Sequence, residues 1–332
     1  MKSTPAPATP RSSASLFAPI ARDLEEVEKI LRRTFDDSRP GMDRLLAHVA
    51  QYKGKRLRPA LLLLTAHACR QVTPTHHHLA AIVEMIHTAT LVHDDVLDGA
   101  AVRRHVPTVN ALWGNQASIL LGDYLFTHAF HLASMVDDGQ ACRIIGESTN
   151  RLCAGELHQI SRRGDLTLSE DEYLDIIDGK TAELTACCGR LGATYAGMTD
   201  EVIASLTRFG RALGIAFQIA DDLLDLMGEE TLAGKSLGSD IEQQKLTLPV
   251  IHILNDASPS AADAARSILT ASGNHKREAL VPLLIASGSL EYARQRAVGF
   301  ASAALAELQC LPPSPGRTIL EALADRVVHR DH

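Results

Sequence analysis

Two short stretches of this 332-residue chain concentrate carboxylates among apolar neighbours. In "LVHDDVLDGAAVRRH", Asp94, Asp95 and Asp98 crowd together, and Arg103 and Arg104 follow. In "FQIADDLLDLMG", Asp221, Asp222 and Asp225 repeat the same D-D-x-x-D spacing. On a helix the first and third aspartates of each group share a face one turn apart, and the second lies about 100° round. Carboxylates this close repel one another and are costly to bury without a counter-charge. One such group reads equally well as a solvated helix end; two with one spacing call for a common cause. Mg2+ supplies it, because a hard cation takes oxygen ligands and shares them with substrate phosphates. Facing groups across a cavity would hold metal ions and a diphosphate, with the apolar faces of the same helices lining space for a hydrocarbon tail below.

The basic residues fit such a molecule. "YKGKRLRP" places Lys55, Arg56 and Arg58 behind Gly54 at a helix entrance, suited to gripping phosphate oxygens. "GKTAEL" supplies Lys180 and Thr181, "AGKSLGSD" supplies Lys235, and Gln218 lies one turn before Asp222. Each alone reads as a solvated surface residue; their recurrence beside glycines and the acidic groups makes the pattern. His87 lies seven residues before Asp94, two turns down the same face, in a run too apolar for a casual histidine. A hydrogen-bonded core histidine is the competing reading. The "HHH" at 76–78 follows Thr73-Pro74 at a helix start and is given no metal role, and Cys187 and Cys188 read as small core residues.

The elements that must position these groups are helices. From about residue 18, "IARDLEEVEKILRRTF" sets Ile20, Leu24, Val27, Ile30 and Leu31 on one stripe. "RPALLLLTAHACR", with Pro59 in its first turn, and "HHHLAAIVEMIHTATLVHDDVLD" continue in the same style. So do the stretches up to "LPVIHILND", with no β-branched alternation and no interdomain linker between them. The expectation is one all-α domain over 18–332, a single large helical bundle around a central cavity, preceded by a disordered tail over 1–17. A transit peptide is the alternative for that Ser-, Thr-, Pro- and Ala-rich, acid-free start. A net charge of −7 and 4% aromatic residues argue against a nucleic-acid surface. Six scattered cysteines without C-x-x-C spacing read as reduced thiols of a cytoplasmic protein. No apolar run reaches the roughly 18 residues of a transmembrane segment.

"GKRLRP", "HDDVLD…RR", "GDYLF", "GKTAEL", "FQIADDLLD" and "GKSLGSD…KLTLP" occur in this order, and on them the chain resembles the trans-isoprenyl diphosphate synthases of the polyprenyl synthetase family. The resemblance implies that three Mg2+ held by the aspartates of both groups bind an allylic diphosphate, whose C1–O bond ionises. Arg103, Lys180 and Lys235 would stabilise the departing diphosphate, and Thr181 and Gln218 would lie near the cation. Lys55, Arg58, His87 and Arg104 would hold isopentenyl diphosphate, whose double bond attacks that cation. The released diphosphate, not a protein base, takes the proton. Chain length in this family is set beneath the first acidic group, and the fifth and fourth residues before Asp94 are the small Ala89 and Thr90. An open shaft implies a product longer than C15, in the C30–C50 class, with Phe126 or Phe130 as a deeper floor. A short-chain product such as geranylgeranyl diphosphate is the alternative. Gln244, before the lysine of "EQQKLTLP", departs from the family's usual glycine and leaves the role of Lys245 open. A terpene cyclase normally mixes Asn, Ser and Glu in its second motif, a head-to-head synthase differs at "GKRLRP", and a non-catalytic subunit would be expected to lose aspartates that are all present here. The resemblance also implies a homodimer, for which "YLFTHAFHLASMV" would supply an interface.

Overall fold

The computed structural model describes residues 16–36, 39–52, 54–137, 139–228, 237–271 and 275–328. After a short 3-10 turn at Ala18–Ile20, four helices follow: α1 (Ala21–Phe35), α2 (Met42–Val49), α3 (Leu57–Ala68) and α4 (Pro74–Leu97). A two-residue hairpin, β1 (Val102–Arg103) and β2 (Val106–Pro107), leads into α5 (Val109–Ser134) and α6 (Gln140–Ser161). Then come α7 (Glu170–Ile177), a π-helical turn at Asp178–Ala182, α8 (Glu183–Thr194) and α9 (Asp200–Met227). The remainder is α10 (Ser239–Glu242), α11 (Leu248–Asn255), α12 (Pro259–Thr270), α13 (Lys276–Ala286), α14 (Ser289–Glu307) and α15 (Pro315–Val328). The all-α expectation holds, apart from the hairpin, which is too short to leave a period-2 pattern in the sequence.

Buriedness explains which helices are central. Helix α3 buries almost its whole circumference, Leu61 to Leu64 included, and α4 buries side chains on every face between Leu79 and Ala89. A helix apolar all round belongs inside a bundle. Helix α4 lies along α5, α9 lies against α8 and α14, and α4 also touches α8, so the two acidic groups end two central helices that share a neighbour. The periodic α1 shows the opposite pattern: it buries Val27 and Leu31 and exposes its charged face. The described chain begins inside the expected tail, because Leu16 is buried and Phe17 packs against the core; residues 1–15 lie outside the described part. Among the described residues no helix is long and apolar enough to cross a membrane.

Candidate active site

Helix α4 carries Asp94 and Asp95 in its last turn and ends on Asp98 as its C-cap. The three carboxylates then part company. Asp95 is 1% exposed and accepts from Arg103 Nε at 2.7 Å, while its other oxygen, Oδ2, is buried without a partner. Asp98 accepts from Lys245 Nζ at 3.0 Å and from Arg163 at 3.1 Å. Burial raises the Asp94 carboxyl to about 6, against the pull of Lys180, and Glu156 and Asp98 add to the rise.

The second group ends α9 and is held differently. Asp222 accepts from the Tyr173 hydroxyl and from Gln218 Nε2, each at 2.7 Å. Burial, with Asp240 nearby, pushes its carboxyl well above the usual range. Asp225 accepts from Ser239 Oγ at 3.1 Å and from the Asp240 amide at 3.2 Å, which anchors the start of α10. Asp221 is exposed and lines the larger of two cavities described below.

The groups are joined across the space between them. Lys245, which follows α10, reaches Asp98 of the first group. Lys180 feels Asp94 and Asp98 and also lines a small cavity of about 70 Å³ shared with Gln218, Asp222, Asp240 and Lys245. Its ammonium is held by Glu156 at 2.6 Å and Gln159 at 3.0 Å, and Asp94, Glu156 and Asp98 together outweigh the burial that works against its charge. Thr181 donates to Gln218 Oε1 at 2.7 Å, so hydrogen bonds run from Thr181 through Gln218 to Asp222. Lys235 lies outside the described residues.

A second cavity, of about 720 Å³, has two kinds of wall. Lys55, Arg58, His87 and Arg104 make the basic wall, and Leu16, Phe17, Leu57 and Phe217 belong to the apolar one. Arg58 Nη1 donates to His87 Nε2 at 3.0 Å, so His87 keeps that nitrogen unprotonated. Burial and the nearby arginines hold His87 well below the usual imidazole range, which makes it a neutral polar group and not a counter-charge. Arg58 Nε is buried and without a partner, an unmet donor inside a cationic pocket. Arg104 sits in the hairpin turn, where it and His105 have φ of 51° and 65°. Both central residues of a type I′ turn need positive φ, which Asn-Gly supplies cheaply and Arg-His does not. A Cβ on Gly54 would stand 2.5 Å from Arg104 Nη1, so glycine there leaves room for that guanidinium in its present position. Arg56 is removed from the phosphate-gripping set: Glu28 and Glu84 take its guanidinium at 2.5 and 2.8 Å.

The expected floor is only partly assembled. Ala89 is sealed in a cluster with Leu46, Val49, Leu121 and Leu125, while Thr90 is half-buried and donates to the His87 carbonyl at 2.8 Å. Ala89 is therefore core between α2, α4 and α5, a consequence of the 100° step between adjacent helical residues. Phe126 and Phe130 form a pair on α5 with centroids 5.5 Å apart, partly buried against the main core. Gly122 faces His93 across the α4–α5 seam, which sets the two rings about 6 and 12 Å below that level.

Sequence reasoning missed Tyr173, Asp240, Glu156, Gln159 and Arg163. Asp240 stands in the "GKSLGSD" motif and was available there; the other four lie between motifs and carry no spacing signal. Gln244, which the resemblance marks as a departure from glycine, has φ of 56°, a left-handed backbone that glycine adopts without steric cost.

Among the described residues no three carboxylate, imidazole or thiol groups converge as a closed metal cage. Asp94 and Asp222 carboxyls raised chiefly by burial, with neighbouring carboxylates adding to it, and the orphaned Asp95 oxygen instead mark acids short of counter-charge. That fits open Mg2+ binding, in which one or two carboxylates per ion leave positions for substrate oxygens and water.

A family model for polyprenyl synthetase matches residues 39–284. The chain belongs to the polyprenyl synthetase family. It is 36% identical over 312 residues to octaprenyl diphosphate synthase of Escherichia coli (strain K12), covering 94% of this chain and 97% of that one. A solved decaprenyl diphosphate synthase from Rhodobacter capsulatus superposes with a TM-score of 0.88 at 37% identity, covering 97% of this chain and all (100%) of the other. A polyprenyl synthase from Caulobacter crescentus CB15, complexed with calcium and isoprenyl diphosphate, gives 0.90 at 34% identity, with 98% and 100% coverage. The protein is thus a trans-prenyltransferase with the all-α isoprenyl diphosphate synthase fold, in a family that works with a divalent metal. Its reaction joins isopentenyl diphosphate to an allylic diphosphate.

Proposed function

We propose that this enzyme extends an allylic diphosphate with isopentenyl diphosphate to a polyprenyl diphosphate of the C30–C50 class, using Mg2+. The observation that carries the assignment of substrates to sites is the cavity with a basic wall and an apolar wall, which Asp221 of the second acidic group also lines. Lys55, Arg58, His87 and Arg104 take the diphosphate of isopentenyl diphosphate without metal, and the apolar wall takes its five carbons.

Asp94, Asp95 and Asp98 of the first group and Asp221, Asp222 and Asp225 of the second would hold three Mg2+, with Asp95 and Asp225 also orienting the adjoining segments through Arg103 and the start of α10. Bound there, Mg2+ acts as a Lewis acid toward the allylic diphosphate. Arg103, Lys180 and Lys245 would be the cations around the same space, and the resemblance adds Lys235, which lies outside the described residues. Their charge opposes that of the leaving group as the C1–O bond breaks. Thr181 and Gln218 present dipoles to the resulting cation without offering a nucleophile strong enough to trap it. The double bond of isopentenyl diphosphate then attacks C1, and the released diphosphate accepts the proton.

Product length follows from a tail that passes Thr90 toward the Phe126–Phe130 pair, with relatives named for octaprenyl and decaprenyl products in support. Incubating the purified protein with Mg2+, isopentenyl diphosphate and separate C5, C10, C15 and C20 primers tests the reading. A ladder ending between C30 and C50 is expected; a C15 end product would refute the length assignment, and no turnover alone would refute the enzyme.

A homodimer is part of the proposal. Exposed apolar residues stand upstream of the "YLFTHAFHLASMV" segment, at Leu112, Trp113, Ile119 and Leu120 of α5, and at Met135 near its end, whereas Phe126 and Phe130 are half-buried within the protomer. A second copy covering that face would bury them, and sedimentation of Leu120→Glu should then show monomers.

A further inference from the structure

The turn that presents Lys180 and Thr181 is a π-helix over Asp178–Ala182. Single π turns inside α-helices are rare, and functional sites hold many of them. Here two carboxylates bracket the turn: Asp178 opens it and Glu183 follows its last residue. Arg211 of α9 reaches both, pairing through Nη1 with Asp178 and through Nη2 with Glu183 Oε2 at 2.6 Å. Arg151 of α6 reaches the same two carboxylates at 3.1 Å each, and Ser148 donates to Glu183 Oε1 at 2.9 Å. Glu183 is 6% exposed, so its pairing is shielded from water and removing a partner leaves a buried charge uncompensated. Behind the turn, a Cβ on Gly155 would stand 2.6 Å from the Lys180 amide nitrogen, so α6 approaches this closely only with glycine there.

We propose that Arg211, assisted by Arg151, is a positioning residue for the allylic substrate: by clamping Asp178 and Glu183 it fixes both ends of the π turn and hence the register of Lys180 and Thr181. The inference rests on the reading above of those two residues as allylic contacts. Neither arginine lines either of the two cavities of the site. A shift of the turn of the order of 1 Å moves the Lys180 ammonium and the Thr181 hydroxyl together. The groups assigned to isopentenyl diphosphate stand on α3, α4, the hairpin and the segment before α3, outside the clamp's reach. Loosening the clamp therefore weakens one substrate and spares the other.

The test uses three purified variants. Arg211→Met removes both pairings, Arg211→Lys keeps a charge that can serve only one carboxylate well, and Asp178→Asn removes one end of the bracket. Initial rates with Mg2+ are measured while each substrate is varied in turn, beside thermal midpoints. The KM for the allylic diphosphate should rise about tenfold or more in Arg211→Met, well inside the roughly 10²-fold that a 1 Å misplacement can cost. Arg211→Lys and Asp178→Asn should show a severalfold rise, with the KM for isopentenyl diphosphate within about twofold throughout. If Arg211→Met does not fold, the other two variants decide. An unchanged allylic KM in those two, or a parallel rise in both KM values that tracks a lowered midpoint, overturns the clamp. A wild type without turnover overturns the functional reading and the clamp together; an active wild type whose variants show no split overturns the clamp alone.

Discussion

The two acidic groups share one spacing and one position, the C-terminal end of a central helix, yet they are stabilised by different chemistry. Asp95 and Asp98 of the first group meet cations, Arg103 on the one and Lys245 with Arg163 on the other. Asp222 of the second meets two neutral donors, Tyr173 and Gln218, and Asp225 receives a hydroxyl and a backbone amide. A carboxylate paired with lysine or arginine has its charge balanced before metal arrives, and metal must exchange with that partner. Asp222, held by two neutral donors, is oriented by hydrogen bonds in a setting that burial makes costly for its charge. The first group thus links the two halves of the site by ion pairs, and Asp222 of the second is held in a fixed geometry that an incoming cation would favour.

Breaking the chemistry on either side should have the largest effect. Asp94→Ala and Asp222→Ala should each lower kcat by at least about 10²–10³, the scale of losing a preorganised electrostatic stabiliser. Steady-state rates at saturating substrates measure this, and a near-normal rate in either variant would end the functional parity of the groups. Next in size, Tyr173→Phe takes a buried donor from Asp222 and should cost about 1–3 kcal/mol of stability. Arg163→Met, which leaves Lys245 on Asp98, should cost under about 1 kcal/mol, as for a partly exposed pair. Urea denaturation of the two variants compares them directly, and equal losses would erase the distinction.

A third measurement follows the Asp94 carboxyl. Its folded value of about 6 lies above the ordinary aspartate value of 3.8, so folding favours the protonated form. In metal-free protein the resulting contribution to stability is complete below about pH 4 and is lost as pH rises through about 6. Asp94→Asn should therefore flatten the stability curve between those values and leave the metal-free variant the more stable at pH 7; a curve with the wild-type slope would argue against it. The smallest effect is expected at Gln244, whose positive φ costs about 1–2 kcal/mol in an L residue, part of which glycine's unfolded-state entropy cancels. Gln244→Gly should raise stability by no more than about 1 kcal/mol, read from the denaturation midpoint.

Much of this was legible in the residues. The acidic spacing, the "GKRLRP" entrance and the 3.6-residue periodicity each act within a few turns of one helix, so they survive in a linear string. They single out Asp94, Lys180, Gln218 and Asp222, which the fold brings near one another. Ala89 misled because its small size suits a shaft wall and a tight helix seam equally, and only its neighbours distinguish the two. Arg56 misled in the same way, since a guanidinium beside phosphate-gripping residues looks identical until Glu28 and Glu84 are brought to it.

What the sequence alone determined is the chemistry available and the elements that bear it: helices from apolar periodicity, and metal and diphosphate affinity from repeated carboxylates and basic residues. Tertiary structure decided which of those groups stay open to a ligand. Tyr173 comes to Asp222 from 49 residues away and Lys245 to Asp98 from 147, and the clamp on the π turn spans three helices. Such partnerships depend on how helices pack, and no local spacing encodes them. That is why the same D-D-x-x-D signature could end in two electrostatic settings.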